Sequence, residues 1–348
     1  MITLRGSNAN SIPGPALFTL LYLTILTAPG VALGAEKVII DTDPGVDDSL
    51  AIVFALKSKQ LEVLGLTTIF GNVETHLATL NSLRLLEIME KNVPVAEGAS
   101  RPLYMKKLSS PADVHGEDGL GEINLPLPKT NAIKKSAAEF IVQTVMDNPG
   151  EVTLIVLGPM TNIALALALE PDLSENVKQV VAMGGVLQVM GNVSPVASAN
   201  ILGDPHAADI VMGTDWNMTL VSADITRQVL VTDSWWNSVR KKGGTNVEFL
   251  FDTSRFYRTF YQSVGYSDGY PNHDSTAVAY VLAPELFETD QRAVRVVTDG
   301  MTIGHVVAAE KRHSSKPGPW FGVPLSNVTV GVDVQGVQQL LEAIITKK

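Results

Sequence analysis

The chain has no cysteine among its 348 residues. That excludes disulfide bridges and attachment of a lipid through an N-terminal Cys. Basic residues are the minority, 26 Lys and Arg against 36 Asp and Glu. The resulting formal net charge of -10 argues against nucleic-acid polymers and anionic membranes as partners. Charge is almost missing from the N-terminus, where Arg5 is the sole charged residue before Glu36. The apolar run Leu17 to Leu26 in that segment is too short for a membrane span. Ala32-Leu33-Gly34 then supplies small residues at a cleavage site. A secretory signal peptide over residues 1–34 is predicted, with an N-terminal membrane anchor as the alternative. Cleavage would remove Arg5 and no acid, taking the charge from -10 to -11. The mature protein would be secreted or periplasmic, with no membrane attachment. Repeats, low-complexity tracts and linkers are also missing. Residues 35–348 therefore read as one α/β domain with its own core.

What is present is concentrated in Val38-Ile39-Ile40-Asp41-Thr42-Asp43-Pro44-Gly45-Val46-Asp47-Asp48, four carboxylates behind an apolar β-branched run. An apolar run that breaks at Asp-Pro-Gly reads as a buried strand ending in a turn. Asp48 to Leu56 reads as a mostly apolar helix, with Asp47 or Asp48 at its N-terminus. The acids would thus sit at the carboxyl end of a strand, where open α/β sheets bind ligands. Carboxylates this close repel, and a hard cation such as Ca²⁺, which takes oxygen ligands, keeps them ionised. A solvated acidic turn is the simpler alternative.

Strand and helix signals alternate through the rest of the chain. Strands are expected at Val63–Phe70, Val93–Ala96, Val152–Leu157, Val177–Met183 and Asn217–Ala223. Helices are expected at Leu77–Glu90, Ala137–Met146 and Ile163–Leu169. The last of these, capped by Thr161-Asn162, is apolar all round and predicted to be interior. Asp113–Gly121 reads as a polar, glycine-rich loop. Val337, Leu340, Leu341, Ile344 and Ile345 give a C-terminal helix one apolar face. This alternation predicts a doubly wound, mainly parallel open sheet with helices on both faces. Polar residues gather at its strand ends: Asp43, Asp47, Asp48, Asn72, Asn192, Asn200, His273 and Asp274.

Asp41-Thr42-Asp43-Pro44-Gly45-Val46-Asp47-Asp48 resembles the signature of the nucleoside hydrolases of the inosine–uridine-preferring type. Further similar blocks follow in order: Thr67–Asn72, His115–Gly121, Leu157–Asn162, Met183-Gly184-Gly185, Gly191–Pro195 and His273–Tyr280. The resemblance covers nearly the whole mature chain. It implies hydrolysis of the N-glycosidic bond of ribonucleosides to free base and ribose. Asp43, Asp48, Asp274 and the backbone carbonyl of Leu157 would hold Ca²⁺. Asp43 would also be the general base for a metal-held water. Asp47, Asn72, Asn192, Asn200 and Asp274 would bind the ribose hydroxyls, Met183 and Ser198 would also contact the substrate, and His273 and His115 would lie near the leaving base. A homodimer or homotetramer is likewise implied. The physical chemistry agrees: an oxocarbenium-like transition state calls for anions near the sugar, a placed water and a proton for the base.

One departure stands out. Ser198 replaces an acid usual in this family, and Ala199 an aromatic. That alters the side of the site expected to face the ribose 5′ end and leaves the metal and diol site intact. Phe249 to Tyr270 is rich in aromatics and ends in a glycine-flanked loop before His273, which would suit a lid over the base; ordinary helix packing is the alternative. Two other functions fit less of the sequence. One is an exported nucleoside-binding protein with a site impaired at Ser198. The other is an Asp-x-Asp phosphohydrolase, against which stands the lack of a basic phosphate-binding motif.

Overall fold

The computed structural model describes residues 34–347, so the signal-peptide segment expected at the N-terminus lies outside the described residues. Six strands come first: β1 (Glu36–Thr42), β2 (Leu61–Thr68), β3 (Val95–Glu97), β4 (Val152–Val156), β5 (Gln179–Met183) and β6 (Met218–Val221). They are parallel throughout. A small ribbon, β7 (Leu230–Val231) with β8 (Tyr270–Pro271), pairs apart from them. The strands β9 (Phe287–Val296), β10 (Val306–Glu310) and β11 (Leu325–Val332) extend the main sheet. Its order is β10-β9-β11-β6-β5-β4-β1-β2-β3. β11 runs parallel to β6, while β9 is antiparallel to both its neighbours. The sheet is therefore mainly parallel, as the alternation predicted, with an antiparallel edge.

The chain builds outward from β1 in one direction through β2 and β3, then returns to β1's other side with β4. That reversal opens a crevice at the carboxyl ends of β1 and β4, the place where such sheets accept ligands. The Leu157 N–H donates to the Asp41 carbonyl at 2.8 Å, holding the crevice's two sides in register.

Helices cover both faces, and their cores are distinct. One cluster centres on the helix Val46–Lys57, whose residues 46–56 are all buried, packed with the helices Val247–Ser263, His273–Leu282 and Val334–Ile345. Such complete burial explains why its sequence shows no polar stripe. The other cluster lies under the helices Ala137–Asp147, Thr161–Leu169 and Pro205–Met212.

Several expectations are corrected. The first helix begins at Val46 with Gly45 as its cap, so Asp47 and Asp48 lie inside its first turn; the Asp48 carboxylate accepts the Gly45 N–H at 3.1 Å. The helix Thr161–Leu169 is capped by Met160 rather than by Thr161-Asn162. It is interior only in its first half, because Leu169 is 60% exposed. Ala112–His115, expected as loop, is one helical turn. β2 ends at Thr68; the Ile69 N–H still donates to the Thr42 carbonyl of β1 at 3.1 Å, and Ile69 and Phe70 are buried.

Candidate active site

A cavity of about 380 Å³ opens at the crevice, within the usual range for a small-molecule site. Carboxylates, amides and His115 line one end, and aromatic rings with His273 the other.

The acidic end grows from the turn after β1. Asp43 Oδ2 accepts the Asn72 N–H at 2.7 Å, and its Oδ1 is buried with no partner. Gly158 closes on this carboxylate: a Cβ there would lie 2.7 Å from Asp43 Oδ1, so a side chain is excluded. Asp48 accepts from Thr42 Oγ1 at 2.5 Å and from Asn72 Nδ2 at 2.8 Å. Asp47 accepts from the Tyr257 hydroxyl at 3.0 Å and keeps Oδ1 unpartnered. Asp274 comes from the first turn of the helix His273–Leu282. Asp47, Asp48 and Asp274 each offer an oxygen within 4.8 Å of the others. The tightest triad thus contains Asp47, which the resemblance gave to the ribose, while Asp43 stands beside it on the β4 side. Asp43 lines a small annex of about 80 Å³ that shares Asn72 and Asn200 with the main cavity.

Burial governs the protonation of these acids. It raises Asp47 and Asp48 to about 6, with the charge of Asp47 adding to the rise at Asp48. Burial and neighbouring carboxylates hold Asp43 and Asp274 well above the ordinary range. A cluster of four buried acids with orphaned oxygens is an all-oxygen donor set suited to a hard cation.

Below it lies a residue that sequence reasoning passed over. Asp41 accepts from Thr67 Oγ1 at 2.6 Å and Asn162 Nδ2 at 2.8 Å, and burial pushes its carboxyl to about 7. Asn162 also donates to the Thr68 carbonyl and accepts the Ala99 N–H, tying β1, β2 and the loop after β3 together. The signal was an acid inside an apolar strand.

Asn192, Ser198 and Asn200 form one wall. Asn200 Nδ2 donates to the carbonyls of Leu157 and Met183, at 2.5 Å and 3.0 Å. The Leu157 carbonyl expected to face the metal is thus shared with Asn200. Ser198 Oγ accepts the Gly185 N–H at 2.7 Å, and Asn192 Oδ1 the Ala199 N–H at 3.0 Å.

The opposite end is assembled by the helix Val247–Ser263. Tyr257, Phe260 and Tyr261 line the cavity with Val264 and Tyr266 beyond them, whereas Phe251 packs on Trp236. A continuous polar line runs from Asp47 through Tyr257 and Tyr261 to His273. The tyrosine hydroxyls lie 3.3 Å apart, and Tyr261 OH is 3.2 Å from His273 Nε2. His273 Nδ1 meets Thr226 Oγ1 at 2.6 Å. Burial chiefly, with the nearby Arg227 charge, lowers His273 to about 3. Burial lowers His115 to about 4, against the pull of Asp48 and Asp113. His115 Nδ1 accepts the Val46 N–H at 3.2 Å, so its proton resides on Nε2. Both imidazoles are therefore neutral near pH 7. Thr226, the last residue of the short helix Ala223–Thr226 after β6, and Arg227, its C-cap, were invisible beforehand; a lone Thr-Arg carries no pattern.

Known proteins resemble this chain over most of its length. The model of the inosine-uridine preferring nucleoside hydrolases matches residues 38–339. Uridine nucleosidase 1 of Arabidopsis thaliana is 42% identical over 316 residues, spanning 90% of this chain and 94% of its own. A solved plant nucleoside hydrolase superposes with a TM-score of 0.87 at 38% identity, covering 90% of this chain and 99% of that one. A purine-preferring ribonucleoside hydrolase from Gardnerella vaginalis follows, with a TM-score of 0.83, 32% identity and coverage of 89% and 98%. The chain belongs to the inosine–uridine preferring nucleoside hydrolase family and is a ribonucleoside hydrolase.

Proposed function

We propose that the protein cleaves ribonucleosides with Ca²⁺ held by Asp43, Asp48, Asp274 and the Leu157 carbonyl, and that Asp43 is the general base. The observation that carries this reading is the pair of buried, unpartnered oxygens, Asp43 Oδ1 and Asp47 Oδ1, in a four-carboxylate cluster beside the cavity. Calcium, when bound, supplies the positive charge that keeps these acids ionised and draws ribose diol and water oxygens to them. Asp43 has one oxygen committed to Asn72 and one free, so it can take a proton from water while staying oriented. Asp47, placed by Tyr257, accepts from a ribose hydroxyl and lends negative charge to the oxocarbenium-like sugar. The C1′–N bond breaks with its electron pair going to the base, the water oxygen bonds to C1′, and a proton returns to the base at the His273 end.

Ser198 bonds to Gly185 and makes no hydrogen bond to any of the four acids, so its replacement of an acid leaves them as they are. Nothing in the site favours binding without turnover. The leader-like segment before residue 35 supports export to the periplasm or the medium, and the family resemblance supports a homodimer or homotetramer.

The test is base release from uridine, inosine, adenosine and cytidine, with and without chelator. Free base and ribose should appear, vanish with the chelator and return with calcium. Failure to release any base would overturn the proposal.

A further inference from the structure

Arg227 supplies the cavity's single Lys or Arg side chain among the described residues. It follows directly on Thr226, whose hydroxyl contacts His273, so it stands at the end away from the acids. Its Nη1 donates to the Met190 carbonyl at 2.6 Å. That carbonyl is itself fixed, because the Asp224 carboxylate accepts the N–H groups of Leu187 and Gln188, both at 2.8 Å, in the same loop. No carboxylate among the described residues pairs with the guanidinium, and it is half-buried. Arg carries five N–H donors and cannot lose its charge, so an anchored cation with donors to spare faces the aromatic end.

His273 there is neutral, and Tyr257 and Tyr261 are held protonated by burial. When the glycosidic bond breaks, its electron pair spreads from the ring nitrogen onto the base's exocyclic oxygen. A fixed cation in a partly dry cavity stabilises charge that develops in this way. A donor-only group also welcomes an oxo substituent and gives an amino group nothing to donate to.

Given the hydrolase reading above, we propose that Arg227 is a catalytic and specificity-determining residue. It holds the oxygen of the departing base and makes nucleosides whose base carries an oxo group where cytosine or adenine carries an amino group (uracil, hypoxanthine, xanthine) the preferred substrates.

The experiment measures kcat/KM on the calcium-loaded enzyme for uridine, cytidine and a p-nitrophenyl riboside, whose leaving group needs little help. The wild type should prefer uridine to cytidine by about tenfold or more, the order expected when a site's donors lose their acceptor. Arg227→Gln should lower uridine turnover by about 10²-fold, and its loss on the p-nitrophenyl riboside should be smaller by at least about tenfold. Arg227→Lys should recover part of the difference. Equal losses on all substrates, no loss at all, or a wild type indifferent between uridine and cytidine would overturn the inference while leaving the hydrolase reading standing. A wild type that releases base from none of them would overturn both.

Discussion

The two ends of the cavity are built on opposite terms. At the acidic end Asp43 and Asp47 each keep a buried oxygen without a partner, and four carboxylates crowd together. At the aromatic end both nitrogens of His273 are engaged, and Tyr257 and Tyr261 continue the line to Asp47. One end is unfinished until a cation arrives; the other is already satisfied by the chain itself. The first is where charge must be imported, and the second is where neutral, oriented groups and one arginine suffice.

The sharpest way to break this contrast is Asp43→Asn. It keeps the shape and removes the proton acceptor, and base release at saturating calcium should fall by about 10³-fold or more. A loss below about tenfold would move the chemistry to another group.

The second test sets the two ends against each other through pH. Asp47 and Asp48 stand at about 6 instead of 3.8, and burial with neighbouring carboxylates raises Asp43 and Asp274 well above that ordinary value too. Over that window the folded state holds more protons than the unfolded one, so stability without metal falls as pH rises. His115 and His273, at about 4 and 3 instead of 6.5, act in the opposite sense; their stability is lost as pH falls below 6.5 and is complete above it. Between about pH 6.5 and 8 only the acids still titrate. The Tm of the chelator-treated protein should therefore decline across that interval, and calcium should flatten the slope. A metal-free Tm that rises there would contradict the assigned burial of the acids.

The smallest effect concerns the wall between the ends. The Ser198 hydroxyl already accepts from Gly185, and a hydroxyl accepts more weakly than a carboxylate. The wild type should distinguish uridine from 5′-deoxyuridine only weakly. Ser198→Glu should move that kcat/KM ratio toward the intact 5′-OH by about five- to tenfold. A wild type with a strong demand for the 5′-OH would show that other groups hold it.

The same contrast explains what could be read in advance. The acidic end was legible because Asp43, Asp47 and Asp48 are nearly contiguous, and an apolar strand breaking at Pro-Gly leaves few places to put them. The parallel core was legible because strands buried on both faces must be continuously apolar. The aromatic end was legible only in kind. Eight rings lie between Phe249 and Tyr270, and which of them reach the cavity depends on the helix's rotation against Trp236. Arg227 and Thr226 gave no sign, because what matters is their distance from His273 and not from each other. The antiparallel edge was silent for a related reason: β9 carries Glu288, Thr289, Asp290 and Gln291 in an exposed row, which masks its period. Asn162 looked like a helix cap, whereas its amide serves Asp41.

The reversal of the sheet at β1 brings together acids from opposite extremes of the polypeptide: Asp43 leaves the first strand, and Asp274 is delivered only after the sixth has been laid down. No fragment that ends before residue 274 owns the complete set of acids. The acidic cluster exists only once the helix His273–Leu282 has docked against the turn that follows β1.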